Sequence, residues 1–187
     1  MEGIPKNQID ERISKFQIKL HENEIAGAFV TRPISIYYFS GTSKASILFI
    51  PREGTPILLS GENNDRVESR AVLIKTILVK NKEEILFAIR DNGRNHLSSL
   101  GLEMDILSAN EYIWFKKTFP HCKWTNISNV VFELRALKSP YEIQQMKRAA
   151  VVLDRGFQEI RGIICFRRQE SCSNQYNRNY YFNKRRD

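Results

Sequence analysis

The chain has 187 residues, 42% of them apolar, and a formal net charge of +8. That length holds one ordinary domain, or one plus a fragment. No apolar run approaches the roughly 20 residues of a membrane-spanning helix, so no membrane is expected as a partner. Half of the net charge sits in residues 165–187, which carry six Arg or Lys against two acids. The rest is only mildly basic and lacks a basic stripe interleaved with aromatics, so no nucleic acid is expected either.

Residues 7–22 read as an amphipathic helix with Ile9, Ile13, Phe16 and Leu20 on one face. Ala26 to Thr31 is a short apolar run and reads as a buried strand, ended by Arg32-Pro33 because proline cannot extend a ladder. Ile34 to Gly41 is aromatic and closes on glycine; periodicity leaves it open as a short strand or a turn of helix. Ala45–Ile50 and Thr55–Ser60 flank Pro51-Arg52-Glu53-Gly54 and predict an antiparallel hairpin. Glu62 to Arg70 reads as a short helix and Val72 to Val79 as a strand. Asn81 with Glu84 opens a helix that carries Ile85 and Ile89. Leu100 to Leu107 is a strand candidate. Ser108 and Glu111 have capping-box spacing ahead of Tyr112, Phe115 and Phe119, and Pro120 ends that helix. Lys123 to Asn126 is a last short strand, and Ser128 to Arg135 a short helix.

Strands alternating with helices, plus one hairpin, predict an α/β domain with a mixed sheet flanked by helices. One extra helix is expected at the C-terminal side. Its start is written in Ser139-Pro140-Tyr141-Glu142, where the serine can accept from the Glu142 amide and proline suits the first helical position. Ile143, Met146, Ala150, Leu153, Phe157, Ile160 and Ile164 then come at alternating spacings of three and four, one apolar stripe. From Phe166 to Asp187 there is no Ala, Val, Ile, Leu or Met. Such a tail cannot bury a face, so disorder is expected there.

Three groups of residues carry a family resemblance. Arg135, Lys138-Ser139, Glu142 and Ala149-Ala150 resemble the junction that leads into the metallopeptidase domain of the creatinase/prolidase/aminopeptidase P group. Pro33, Ile36-Tyr37-Tyr38-Phe39 and Gly41 are similar to that group's Asn-Ile-Tyr-Tyr-Leu-Thr-Gly segment, with Ser35, Phe39 and Ser40 replacing the usual Asn, Leu and Thr. Leu100-Gly101-Leu102-Glu103 resembles a Gly-x-Glu at the end of a late strand. The three are correctly ordered over roughly residues 8–161.

The resemblance implies a creatinase-type N-terminal domain at 1–135. It implies a linker and first helix of the catalytic domain at 136–164; composition, not the resemblance, sets off the basic polar tail at 165–187. The resemblance implies a cytoplasmic parent, an Xaa-Pro dipeptidase or aminopeptidase P-like hydrolase, with two divalent metal ions held by two Asp, one His and two Glu beyond the junction. A creatinase-like carbon–nitrogen hydrolase is the alternative parent, and a stand-alone binding or assembly module the alternative role. The chain itself is then expected to hold no catalytic residue, metal ligand or cofactor and to be inactive alone. The abrupt change near Gly162–Cys165 is read as a lost reading frame. By resemblance, Arg32, Tyr37 and Tyr38 shape substrate access. The stripe Ile143, Met146, Ala150, Leu153, Phe157 and Ile160 is the expected interface of a homodimer or higher assembly.

The remaining residues add no competing chemistry. His21, His96 and His121 lie far apart in sequence, and read as surface or helix-end residues. Glu62-Asn63-Asn64-Asp65 and Glu103-Met104-Asp105 lack cation-loop spacing and read as a solvated helix start and strand end. Cys122, Cys165 and Cys172 are odd in number, and reduced thiols are expected. No Gly-x-Ser-x-Gly or phosphate loop is present, and the N-terminus has no secretory pattern.

Overall fold

The computed structural model describes residues 4–42, 47–61, 74–79, 83–90 and 97–160. The expected helix at 62–70, Asn81, His96, Ile164, Cys165, Cys172 and the tail at 165–187 lie outside the described residues. The chain divides into two units, Met1–Leu137 and Lys138–Asp187.

The first unit opens with α1 (Lys6–Glu22), followed by β1 (Gly27–Val30) and α2 (Pro33–Ser40). The hairpin β2 (Ile47–Pro51) and β3 (Ile57–Ser60) comes next, then β4 (Lys75–Leu78) and α3 (Glu83–Arg90). β5 (Ser99–Leu102), α4 (Ala109–Thr118), β6 (Lys123–Asn126) and α5 (Ser128–Ala136) complete it. The six strands form one sheet in the order β4-β3-β2-β1-β5-β6. β2 is antiparallel to both β1 and β3, whereas β3 with β4, β1 with β5 and β5 with β6 are parallel. The sheet is therefore mixed, with helices on both faces.

Every residue of β1 and β3 is buried. This is why those strands read as unbroken apolar runs rather than alternating ones: both faces are covered. The pleat sends neighbours to opposite sides. Ala28, Val30, Leu48, Ile50 and Leu58 join Ile9, Ile13, Phe16 and Leu20 of α1, Ile36 and Phe39 of α2, and Val131 of α5. Phe29, Phe49, Ile57 and Leu59 point the other way, onto Ile85 and Ile89 of α3 and Phe115 of α4. Phe29 is the hub of this second layer, with its ring centroid 4.9 Å from Phe49 and 5.0 Å from Phe115. Such aromatic pairs each add about 1 kcal/mol beyond their burial.

The structure resolves Ile34–Gly41 as a helix. Pro33 occupies its first position, and Gly41 at φ 75° ends it, its N–H donating to the Tyr37 carbonyl at 2.8 Å. Only glycine takes that backbone geometry without strain. The expected strand at Leu100–Leu107 is shorter and stops at Leu102. Beyond it, the Met104 and Asp105 amides donate to the side chains of Asn126 and Ser128 instead of to a neighbouring strand. Pro51, expected in the hairpin turn, is the last residue of β2 and pairs with Gly27. A strand end tolerates proline because the missing donor falls where the ladder stops. Gly101 has a packing reason: an added Cβ would lie 2.6 Å from Ile127 Cγ2 and 3.1 Å from Ala28 Cβ.

In the second unit, residues 140–160 are one continuous helix, α6. Its predicted capping box is formed. The Glu142 amide donates to Ser139 Oγ at 3.2 Å, and the Ser139 amide donates to a Glu142 carboxylate oxygen at 2.8 Å.

Candidate functional site

Three parallel strands, β1, β5 and β6, end side by side. Phe29 is level with Leu102, and Leu102 with Asn126. The segments leaving these strands therefore meet at the sheet's C-terminal edge. After β1 the chain turns into α2, which packs on the α1 face; after β5 it turns into α4, on the opposite face. Helices leaving two adjacent parallel strands for opposite faces open a crevice at the strand ends, the usual binding location in open α/β sheets.

Glu103 is the anchor of this edge. It is 2% exposed. The Thr31 and Arg32 amides donate to its Oε2, both at 3.3 Å, and Ser35 Oγ donates to its Oε1 at 2.8 Å. The carboxylate thus caps the start of α2, where unsatisfied amides and the helix dipole favour a negative charge. Reading Glu103 as a solvated strand end is corrected by this burial. The spacing Gly-x-Glu marked its position, but nothing local announced its partners some 70 residues away.

Beside it, Asp105 is half exposed and pairs with the Arg32 guanidinium. Ser128 Oγ donates to the same carboxylate at 2.7 Å. The Ser128 hydroxyl, and then the Arg32 charge, hold the Asp105 carboxyl below its ordinary value against the opposing effect of burial. Arg32 keeps its Nε buried without a hydrogen-bond partner among the described residues, and Thr31 Oγ1 is in the same condition.

Arg32, Tyr37 and Tyr38 take different places. Arg32 lies at the strand edge, its side chain 29% exposed. Tyr37 is 43% exposed on α2. Tyr38 points the other way and is fastened in packing: its hydroxyl donates to the Leu134 carbonyl of α5 at 3.1 Å, and the Arg12 guanidinium stacks 4.3 Å from its ring centre. Arg12, itself 6% exposed on the buried face of α1, also donates to the Tyr38 carbonyl at 2.8 Å. In the sequence Arg12 shows only as a cation three residues after Ile9 on the apolar stripe of α1, a signal without a visible partner. The structure brings Arg32 together with Asp105, and it brings Tyr38 together with Arg12 and Leu134.

The metal pair implied by the resemblance has no donor set among the described residues. Glu103 is enclosed by donors, Asp105 is bound to Arg32 and Ser128, and no three metal-binding side chains converge. No helix among the described residues is long and apolar enough to cross a membrane.

The family described as Creatinase/Prolidase N-terminal domain matches residues 12–137, the span that holds the sheet and the Glu103 anchor. The chain belongs to this family. An Xaa-Pro dipeptidase of Pyrococcus furiosus is 27% identical over 149 residues, covering 78% of this chain and 40% of that protein. The Xaa-Pro dipeptidase of Lactobacillus helveticus is 25% identical, over 78% and 42% respectively. The chain thus spans about two-fifths of the length of the curated relatives it matches. Among solved structures, an Xaa-Pro dipeptidase from Bacillus anthracis superposes with a TM-score of 0.71 at 22% identity, over 81% of this chain and 42% of that one. The N-terminal domain of the cytoplasmic peptidase PepQ from Mycobacterium tuberculosis superposes with a TM-score of 0.58 at 15% identity, over 66% of this chain and 98% of that one. At those identities the likeness is one of fold.

Proposed function

We propose that this creatinase/prolidase N-terminal domain is the non-catalytic, substrate-access module of a cytoplasmic Xaa-Pro peptidase-type hydrolase, with the metal-dependent chemistry carried by sequence beyond the junction. The observation behind this reading is the anchored edge. A buried carboxylate fixes the start of α2 and so fixes the position of Arg32 and Tyr37. Arg32 offers a planar cation suited to a peptide carboxylate, already drawn to one carboxylate in Asp105. Tyr37 offers an apolar body with a polar tip. Tyr38 is a positioning residue, tying α2 to α5 through Leu134. Both sequence relatives are Xaa-Pro dipeptidases, which supports a peptide with proline in second place as the substrate of the longer protein.

Alone, the chain is expected to be inactive. Purified protein supplied with manganese or cobalt and a series of Xaa-Pro dipeptides should show no turnover above the metal-only control. Hydrolysis proportional to protein concentration would overturn the non-catalytic assignment.

A second reading, an assembly module, is favoured by α6. Ile143, Met146, Leu153, Phe157 and Ile160 are between 44% and 63% exposed along one stripe of that helix. Exposed apolar patches of this kind mark association surfaces.

A further inference from the structure

We propose that α2 is a two-state strut coupling the strand-edge site to the last turn of α5, so that a change at Glu103 is felt at Leu134. The functional meaning of this coupling rests on the access reading, because α2 carries Arg32 at its start and Tyr37 on its exposed side.

α2 has eight residues, Pro33–Ser40, and is about 12 Å long at ~1.5 Å per residue. Helices below roughly 12 residues are marginal by themselves, and their first turn is the costly step. A helix this short forms or opens as a unit. What tips it toward the formed state comes from groups outside it, and the structure supplies such groups at both ends.

At the N-terminal end, the buried Glu103 carboxylate accepts from the Thr31 and Arg32 amides and the Ser35 hydroxyl. At the C-terminal end, the Tyr38 carbonyl lies where the helix runs out of amides. The Thr42 amide, four residues on, donates to Ser40 Oγ at 3.2 Å. The Arg12 guanidinium donates to the Tyr38 carbonyl at 2.8 Å. An anion at the start and a cation at the end are the charges the helix dipole favours. The same guanidinium lies 4.3 Å from the centre of the Tyr38 ring and so fixes the direction of the phenol.

The phenol points at α5, where its hydroxyl donates to the Leu134 carbonyl at 3.1 Å. Leu134 lies in the last turn of α5, which has no further helical amides for its carbonyls. Tyr38 is therefore a cap for α5 that α2 delivers, and the cap is in place only while α2 is formed. α5 ends at Ala136, and the first unit ends at Leu137. Both ends of α2 thus bias one equilibrium between a formed and an open helix, which is the element that coupling between two sites requires. Packing of Ile36 and Phe39 keeps the open form a minority, so the coupling shows in opening rates rather than in the average structure.

Native-state amide hydrogen exchange of the intact chain, read residue by residue by NMR, tests this. Glu103→Gln removes one acceptor at the start of α2. It should speed exchange at Ile36–Gly41 and also at Leu134–Ala136 by at least about fivefold, as loss of one net hydrogen bond implies. The amides of β2 and β3 should not follow. Tyr38→Phe keeps the ring over Arg12 and removes only the hydroxyl. It should speed Leu134–Ala136 by itself, and adding Glu103→Gln should then speed α2 with little further change in α5. Ser35→Ala is a milder cut at the same end and repeats the test if Glu103→Gln folds poorly. Ser108→Ala removes a cap from α4, on the other face of the sheet, and should leave Leu134–Ala136 unchanged.

Faster exchange in α2 without α5, equal acceleration throughout the sheet, or a full second increase in α5 in the double variant would each overturn the coupling. So would acceleration of α5 by Ser108→Ala. Failure here would leave the access reading standing, and turnover of Xaa-Pro dipeptides by the chain alone would leave the coupling standing.

Discussion

At the scale of single residues, two charged groups define the candidate site by being held differently. Glu103 is buried and enclosed by donors, whereas Asp105 is half exposed and shared between Ser128 and Arg32. Its carboxyl titrates below the usual range, chiefly because the Ser128 hydroxyl favours the ionised form. A depressed carboxylate contributes stability that is complete above its unfolded value, near 3.9, and is lost as pH falls through its lower folded value. Ser128→Ala should therefore raise the Asp105 titration midpoint, read by carbon NMR of the labelled carboxyl, and Arg32→Gln should raise it too. The destabilisation by Ser128→Ala should shrink once the pH is low enough to protonate Asp105 in both states. An unchanged midpoint would show that the hydroxyl does not hold the charge. None of this was legible in the sequence, because Ser128 and Asp105 are 23 residues apart and meet only through the parallel pairing of β5 with β6.

At the scale of elements, legibility tracked locality. The capping boxes at Ser108–Glu111 and Ser139–Glu142 formed as read, since all their partners lie within one turn. The hairpin β2–β3 formed because a proline- and glycine-containing turn sits between two apolar runs. The segment from Ile34 to Gly41 was ambiguous because its apolar residues fit either period, and the deciding contact is distant: Glu103 neutralises the amides at the start of α2. That makes Glu103 the residue on which α2 depends. Glu103→Ala leaves two amides and the Ser35 hydroxyl buried without their acceptor and should cost about 3 kcal/mol in urea unfolding. Glu103→Gln keeps one acceptor and should cost less. A loss under about 0.5 kcal/mol for the alanine variant would mean α2 is held by packing of Ile36 and Phe39 alone.

At the scale of the whole molecule, the fold class was readable and the strand order was not. Alternating strands and helices announce a mixed α/β sheet, but which strands neighbour one another depends on pairings between segments far apart, such as β1 with β5. The family match over residues 12–137 agrees with that sheet, and the chain spans about two-fifths of the curated Xaa-Pro dipeptidases it resembles. The central claim is that this chain supplies position and access rather than metal chemistry. Calorimetric titration of the intact protein with manganese tests it most directly. The expected isotherm shows only weak, non-stoichiometric heats. Saturable uptake of one or two ions per chain at micromolar affinity would contradict it.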